Sequence, residues 1–148
     1  MSFIDEVKTG LEEDEMLSAL MTGGIYSGTQ IREISRQNTP TAFIEKEIQP
    51  CMLVAVNTDV KVAPHHRGLI TTFSTYFYQR VGYDVITYAM ERTFDLLHEA
   101  KIGEGTWQIL FSTSIENQLD IALDCSLSSQ RWMAYRLKPE YQAEGSGS

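Results

Sequence analysis

Between Pro50 and Lys101 the chain runs strand, loop, strand, helix, and this order restricts the fold more than any other feature. Cys51-Met52-Leu53-Val54-Ala55-Val56 is an unbroken apolar run, the pattern of a strand covered on both faces. Leu69 to Arg80 alternates instead. Leu69, Thr71, Phe73, Thr75 and Phe77 share the face expected to be core. Ile70, Thr72, Ser74, Tyr76 and Tyr78 form a hydroxyl-rich second face, expected to meet water or another subunit. From Asp84 to Lys101, Ile86, Ala89, Met90, Thr93, Leu97 and Ala100 recur at helical spacing, with Asp84 as a candidate N-cap.

The flanks add to this unit. Phe3, Ile4, Val7 and Leu11 make one helix stripe, with Ser2 placed to cap it and Asp5 in the capping-box position. A short helix over 14–21 ends at Gly23-Gly24, and Ile25-Tyr26 starts a strand. Residues 27–49 read as a long loop with short extended pieces, given positive charge by Arg32, Arg36 and Lys46; loops of that length tend to be functional. After Gly103 and Gly105, Trp107, Ile109 and Phe111 alternate as a strand. Leu119 to Leu127 is read as another strand, Ser128-Ser129-Gln130 as a turn, and Arg131 to Leu137 as the last strand. The expectation is a single α+β domain over 1–139, with a mixed, mostly antiparallel sheet of about four to five strands and helices packed on it. Residues 140–148 have the composition of a flexible tail or linker.

Charge and composition narrow the function. A formal charge of −8 argues against nucleic-acid binding through a generally basic surface. No apolar stretch approaches the roughly 20 residues needed to span a bilayer, and the N-terminus lacks a signal-peptide pattern. Cys51 and Cys125 sit in apolar strand patterns, as buried free thiols do, and the sequence leaves a disulfide between them open. His65 and His66 are adjacent, so on an extended chain they point apart and chelate poorly. There is no nucleophile elbow and no phosphate-loop lysine motif. No enzyme activity, metal or cofactor is expected. Exposed aromatics and arginines point instead to contacts between proteins. The candidate interface residues are Arg32, Arg36, His65, His66, Arg67, Tyr76 and Tyr78.

The order of elements carries a resemblance. Leu17-Ser18-Ala19-Leu20-Met21-Thr22-Gly23-Gly24-Ile25-Tyr26, the apolar strand after Pro50, Thr71-Thr72-Phe73-Ser74-Thr75-Tyr76-Phe77-Tyr78 and Phe94-Asp95-Leu96-Leu97-His98 are together similar to the tail terminator (tail completion, or minor tail) family of long-tailed bacteriophages, over roughly residues 10–101. The resemblance implies a homo-oligomeric ring, usually of six subunits, that caps the tail tube and joins it to the head connector. It implies a virion location and DNA passing through the lumen without specific binding. A neck connector ring, a non-viral α+β binding module and an enzyme with an unrecognised site are the alternatives. Rings with aromatic and hydroxyl interfaces, a monomer or dimer with an enclosed pocket, and convergent titratable groups would distinguish a ring protein, a binding module and an enzyme in turn.

Overall fold

A computed structural model describes residues 2–61, 68–103 and 105–137. Helix α1 (Phe3–Glu12) and helix α2 (Glu15–Leu20) open the chain. Strand β1 (Gly24–Ser27) follows, then a 3-10 turn (Pro40–Ala42) and a small hairpin of β2 (Phe43–Ile44) and β3 (Glu47–Ile48). Strands β4 (Cys51–Lys61) and β5 (Gly68–Gln79) are long, helix α3 (Asp84–Leu97) comes next, and β6 (Thr106–Asp120) and β7 (Cys125–Leu137) end the fold. The main sheet is ordered β1-β4-β5-β7-β6, with β1 parallel to β4 and the other neighbours antiparallel. The α+β expectation, with its five mostly antiparallel strands, holds.

Local chemistry explains the helix boundaries. Ser2 Oγ accepts from the Asp5 amide at 3.2 Å, and Asp14 accepts from the Leu17 amide at 2.9 Å, so each short helix has one of its free N-terminal donors met by a side chain. Asp84 is not the N-cap of α3 but its first residue; Tyr83 takes the cap position. The helix also stops at Leu97, four residues before Lys101, where Glu99 turns left-handed at φ 65°. Gly23 sits where β1 enters beside β4, and a Cβ there would lie 3.0 Å from the Gln49 carbonyl.

All three helices cover one face of the sheet. Ile4, Val7, Leu11, Leu17, Met52, Val54, Phe73, Phe77, Ile86, Leu97, Ile109 and Trp132 are the buried body of that layer. Trp132 is its centre, with rings of Phe73, Phe94 and Phe111 at 6.3, 6.3 and 5.4 Å. The face of β5 expected to be core is buried as expected: Leu69, Thr71, Phe73, Thr75 and Phe77 are all at or below 5% exposure.

Ser128-Ser129-Gln130 is not a turn. It lies within β7, paired with Phe77, Tyr76 and Thr75, and the true turn is 121–124. Composition misleads here because tertiary partners satisfy the polar side chain. Gln130 Nε2 donates to the Met90 carbonyl at 3.0 Å, and its Oε1 accepts from Thr75 Oγ1 at 3.2 Å.

Candidate interaction surface

The second face of the sheet is covered at one end by the chain itself. Ile34, Ala42 and Ile48, from the long segment between β1 and β4, pack with Cys51, Leu53, Tyr78, Leu123 and Cys125 into a smaller core. The β2–β3 turn places Glu45 and Lys46 at φ 50° and 71°, the pattern of a two-residue type I′ turn. Arg36 reaches across this cover. Its Nη2 donates to the Lys46 carbonyl at 3.2 Å, and its guanidinium sits 5.2 Å over the Phe43 ring. Arg80 meets Glu47 at 3.4 Å, with both side chains about half exposed. Arg32 is exposed nearby in sequence.

This cover corrects one expectation. Tyr78 does not face outward; it is 8% exposed beneath the cover, and burial pushes its hydroxyl well above the ordinary tyrosine range. Tyr76, two residues back on the same face, remains half-buried at the margin. His65, His66 and Arg67 lie outside the described residues, as does the 140–148 tail. Cys51 and Cys125 are free and buried, and desolvation raises both thiols to about 12.

Beyond the cover, the same sheet face continues across three strands. Ile70 lies opposite Tyr135, and Thr72 opposite Met133, which in turn pairs with Leu110. These side chains are half-exposed, and exposed Arg131 and Thr113 stand beside them. At the hairpin tip, Leu119, opposite Ser126 on the helix side of the sheet, and Ile121 in the turn are 72% and 91% exposed. β6 is the outer strand, and its pairing with β7 slips at three points. Such irregularities discourage regular strand addition at an edge, so this edge presents side chains rather than a regular backbone ladder.

The helical face is different in charge. Ten of the 20 acids and two of the 12 basic residues lie in 2–21 and 83–99, the segments that hold α1–α3 and their flanks. The remainder has ten of each, so the helical layer accounts for the whole formal charge of −8. Its two cations are engaged, Lys8 with Glu12 at 3.0 Å and Arg92 with Asp14 at 2.6 Å. Two open grooves flank α3. One runs between α3 and β6 over Met90, Phe94 and Phe111, and the other between α2 and α3 over Met16, Leu20 and Tyr88.

Sequence reading missed the residues that hold these elements together. Gln79 Oε1 accepts from the Ile86 amide at 3.1 Å while its Nε2 donates to the Val81 carbonyl at 2.9 Å, fixing the start of α3 to the end of β5. His98 Nδ1 accepts from the Phe111 amide at 3.1 Å, and its ring stacks on Phe94 at 4.6 Å. A glutamine at a strand end and a histidine at a helix end carry no periodic signal, so only tertiary placement reveals them.

Among the described residues, no three His, Cys, Asp or Glu side chains are grouped as metal ligands would be. No helix among them is long and apolar enough to cross a membrane. No protein-family model matches this chain, and no curated protein matches it in sequence. Among solved structures, a chain from the virion of a native gene transfer agent particle is similar to it at 13% identity and a TM-score of 0.64. The likeness covers 90% of this chain and 93% of that one, so the two share a fold over nearly their whole lengths.

Proposed function

We propose that this protein is a structural component of a phage-type virion, a tail terminator whose ring ends growth of the tail tube and joins it to the neck. The observation that carries the virion reading is the end-to-end fold likeness to a chain of a gene transfer agent virion; the terminator role rests on the sequence resemblance alone. The partners are further copies of the chain, in a ring of six, together with the tail tube protein and the head–tail connector. The work is done by shape. A closed ring satisfies its own head-to-tail contacts and presents two different faces to two different neighbours.

The surfaces described above suit that work. The half-exposed rows of Ile70, Thr72, Leu110, Met133 and Tyr135, with Tyr76 at their margin, offer apolar area edged by hydroxyls and Arg131. Arg32, Arg36, His65, His66 and Arg67 remain the candidate cationic contacts. Exposed Glu12, Glu13 and Glu15 suit the wall of a DNA passage, because like charge leaves phosphate unbound. Light scattering and negative-stain images of the purified chain test the ring. Uniform rings are expected, and deleting the gene from its phage is expected to alter tail length. A stable monomer whose loss leaves tails unchanged would sink the reading, and rings that bind the neck but leave tail length alone would move the role to a connector.

A further inference from the structure

The groove between α3 and β6 has a chemistry that names its occupant. Its floor is Met90, Phe94 and Phe111, and its rim carries Glu91, Asp95 and Glu116. Its described lining contains no basic residue. At about 310 Å³ it lies at the small end of ligand pockets, and it is open along its length, so it fits a few side chains of a peptide segment. Three carboxylates above an aromatic floor select a segment that brings cations together with short apolar side chains.

The chain contains such a segment, Lys61-Val62-Ala63-Pro64-His65-His66-Arg67, between β4 and β5. It cannot reach the groove of its own copy. Gly68 pairs with Leu137, whereas the groove stands over Gln130, seven residues along β7. That separation is about 23 Å at the rise of a strand. Lys61 pairs with Leu69, and a link of six residues between anchors so close is long enough to reach no more than about 10 Å from them. The C-terminal residues 138–148 are long enough, but Lys138 is outnumbered there by Glu140 and Glu144, which the acidic rim repels.

We propose that the α3–β6 groove of one copy receives the Lys61–Arg67 segment of a second copy, joining neighbours head to tail. This rests on the reading of the protein as an oligomeric virion component. Acidic helical layer and cationic segment then meet at every junction, and each copy gives one segment and accepts one, as a closed ring requires.

The test uses two full-length variants. One reverses the segment (Lys61→Glu with Arg67→Glu), and the other reverses the rim (Glu91→Lys with Glu116→Lys, leaving Asp95 beside Arg92). Light scattering and native mass spectrometry at low salt are expected to show self-association weakened by about tenfold or more in each. An equimolar mixture of the two is expected to recover assembly, because the reversed segment of the first fits the reversed rim of the second, and the unchanged segment of the second fits the unchanged rim of the first. That recovery also separates lost contact from lost folding, and glutamine at the same four positions should weaken assembly less. Rings in the parent that ignore both reversals, or a mixture no better than its parts, would overturn the groove contact while leaving the ring intact. A parent that stays monomeric would overturn both. A chain ending at Leu137 should still assemble; failure there would give the groove to the C-terminal residues.

Discussion

Arg92 on α3 grips Asp14, the cap of α2, through two hydrogen bonds: Nε to Oδ2 at 3.0 Å and Nη2 to Oδ1 at 2.6 Å. The same carboxylate accepts from the Leu17 amide, so one side chain both starts a helix and fastens it to another. Asp14→Ala removes cap and pair together and should cost about 1–2 kcal/mol in urea unfolding, mostly from the cap. Asp14→Asn keeps the cap and should cost less. Equal losses for the two would show that the pair, not the cap, dominates.

Stability should fall in acid over a defined window. Asp5 accepts from Thr29, Ser27 and Ser2 hydroxyls, which hold its carboxyl at about 2, and the Arg92 bonds lower that of Asp14. Both folded values lie below the unfolded range, so their stabilisation is complete above about pH 4 and disappears as pH falls through the folded values. Asp5→Asn should flatten the decline between about pH 4 and 2. An unchanged acid melting profile in that variant would contradict the assignment.

Trp132 is fully buried and its Nε1 donates to Thr75 Oγ1 at 3.1 Å. Trp132→Ala should cost about 3–5 kcal/mol, enough to threaten folding outright in a domain of marginal stability. Gln130→Leu is subtler. It removes the acceptor of the buried Thr75 hydroxyl and the extra donor to the Met90 carbonyl, and should cost about 1–3 kcal/mol despite being apolar. A neutral result would mean that water replaces the lost donor.

Tyr78 and Tyr76 should separate. Tyr78→Ser empties part of the smaller core and should cost about 2–4 kcal/mol of folding stability. Tyr76→Ser should cost less and act more on assembly. Similar thermal shifts for both would return Tyr78 to the surface.

The β2–β3 turn uses Glu45 and Lys46 where backbone of positive φ favours glycine. Lys46→Gly should therefore stabilise by up to about 1 kcal/mol. Native Cys51 and Cys125 should resist alkylation at pH 8 and react only on unfolding.

Much of this molecule was legible in the chain. The stripe of Ile86, Ala89, Met90, Thr93 and Leu97 and the alternation of Leu69 to Phe77 placed α3, β5 and the main core, because burial on one face writes itself into sequence as a period. Ser2 announced the start of α1 because capping is local. What sequence could not settle depended on contacts distant along the chain. Ser128-Ser129-Gln130 looked like a turn until Thr75 and Met90 supplied its bonds. Tyr78 looked exposed until the segment from Ile34 to Ile48 folded over it. The groove of Phe94, Phe111, Glu91 and Glu116 exists only because α3 crosses from β5 to β6 and brings those residues side by side. Periodicity records which face of an element is buried; which other element buries it, and what surface is left beside it, is decided only when the chain closes on itself.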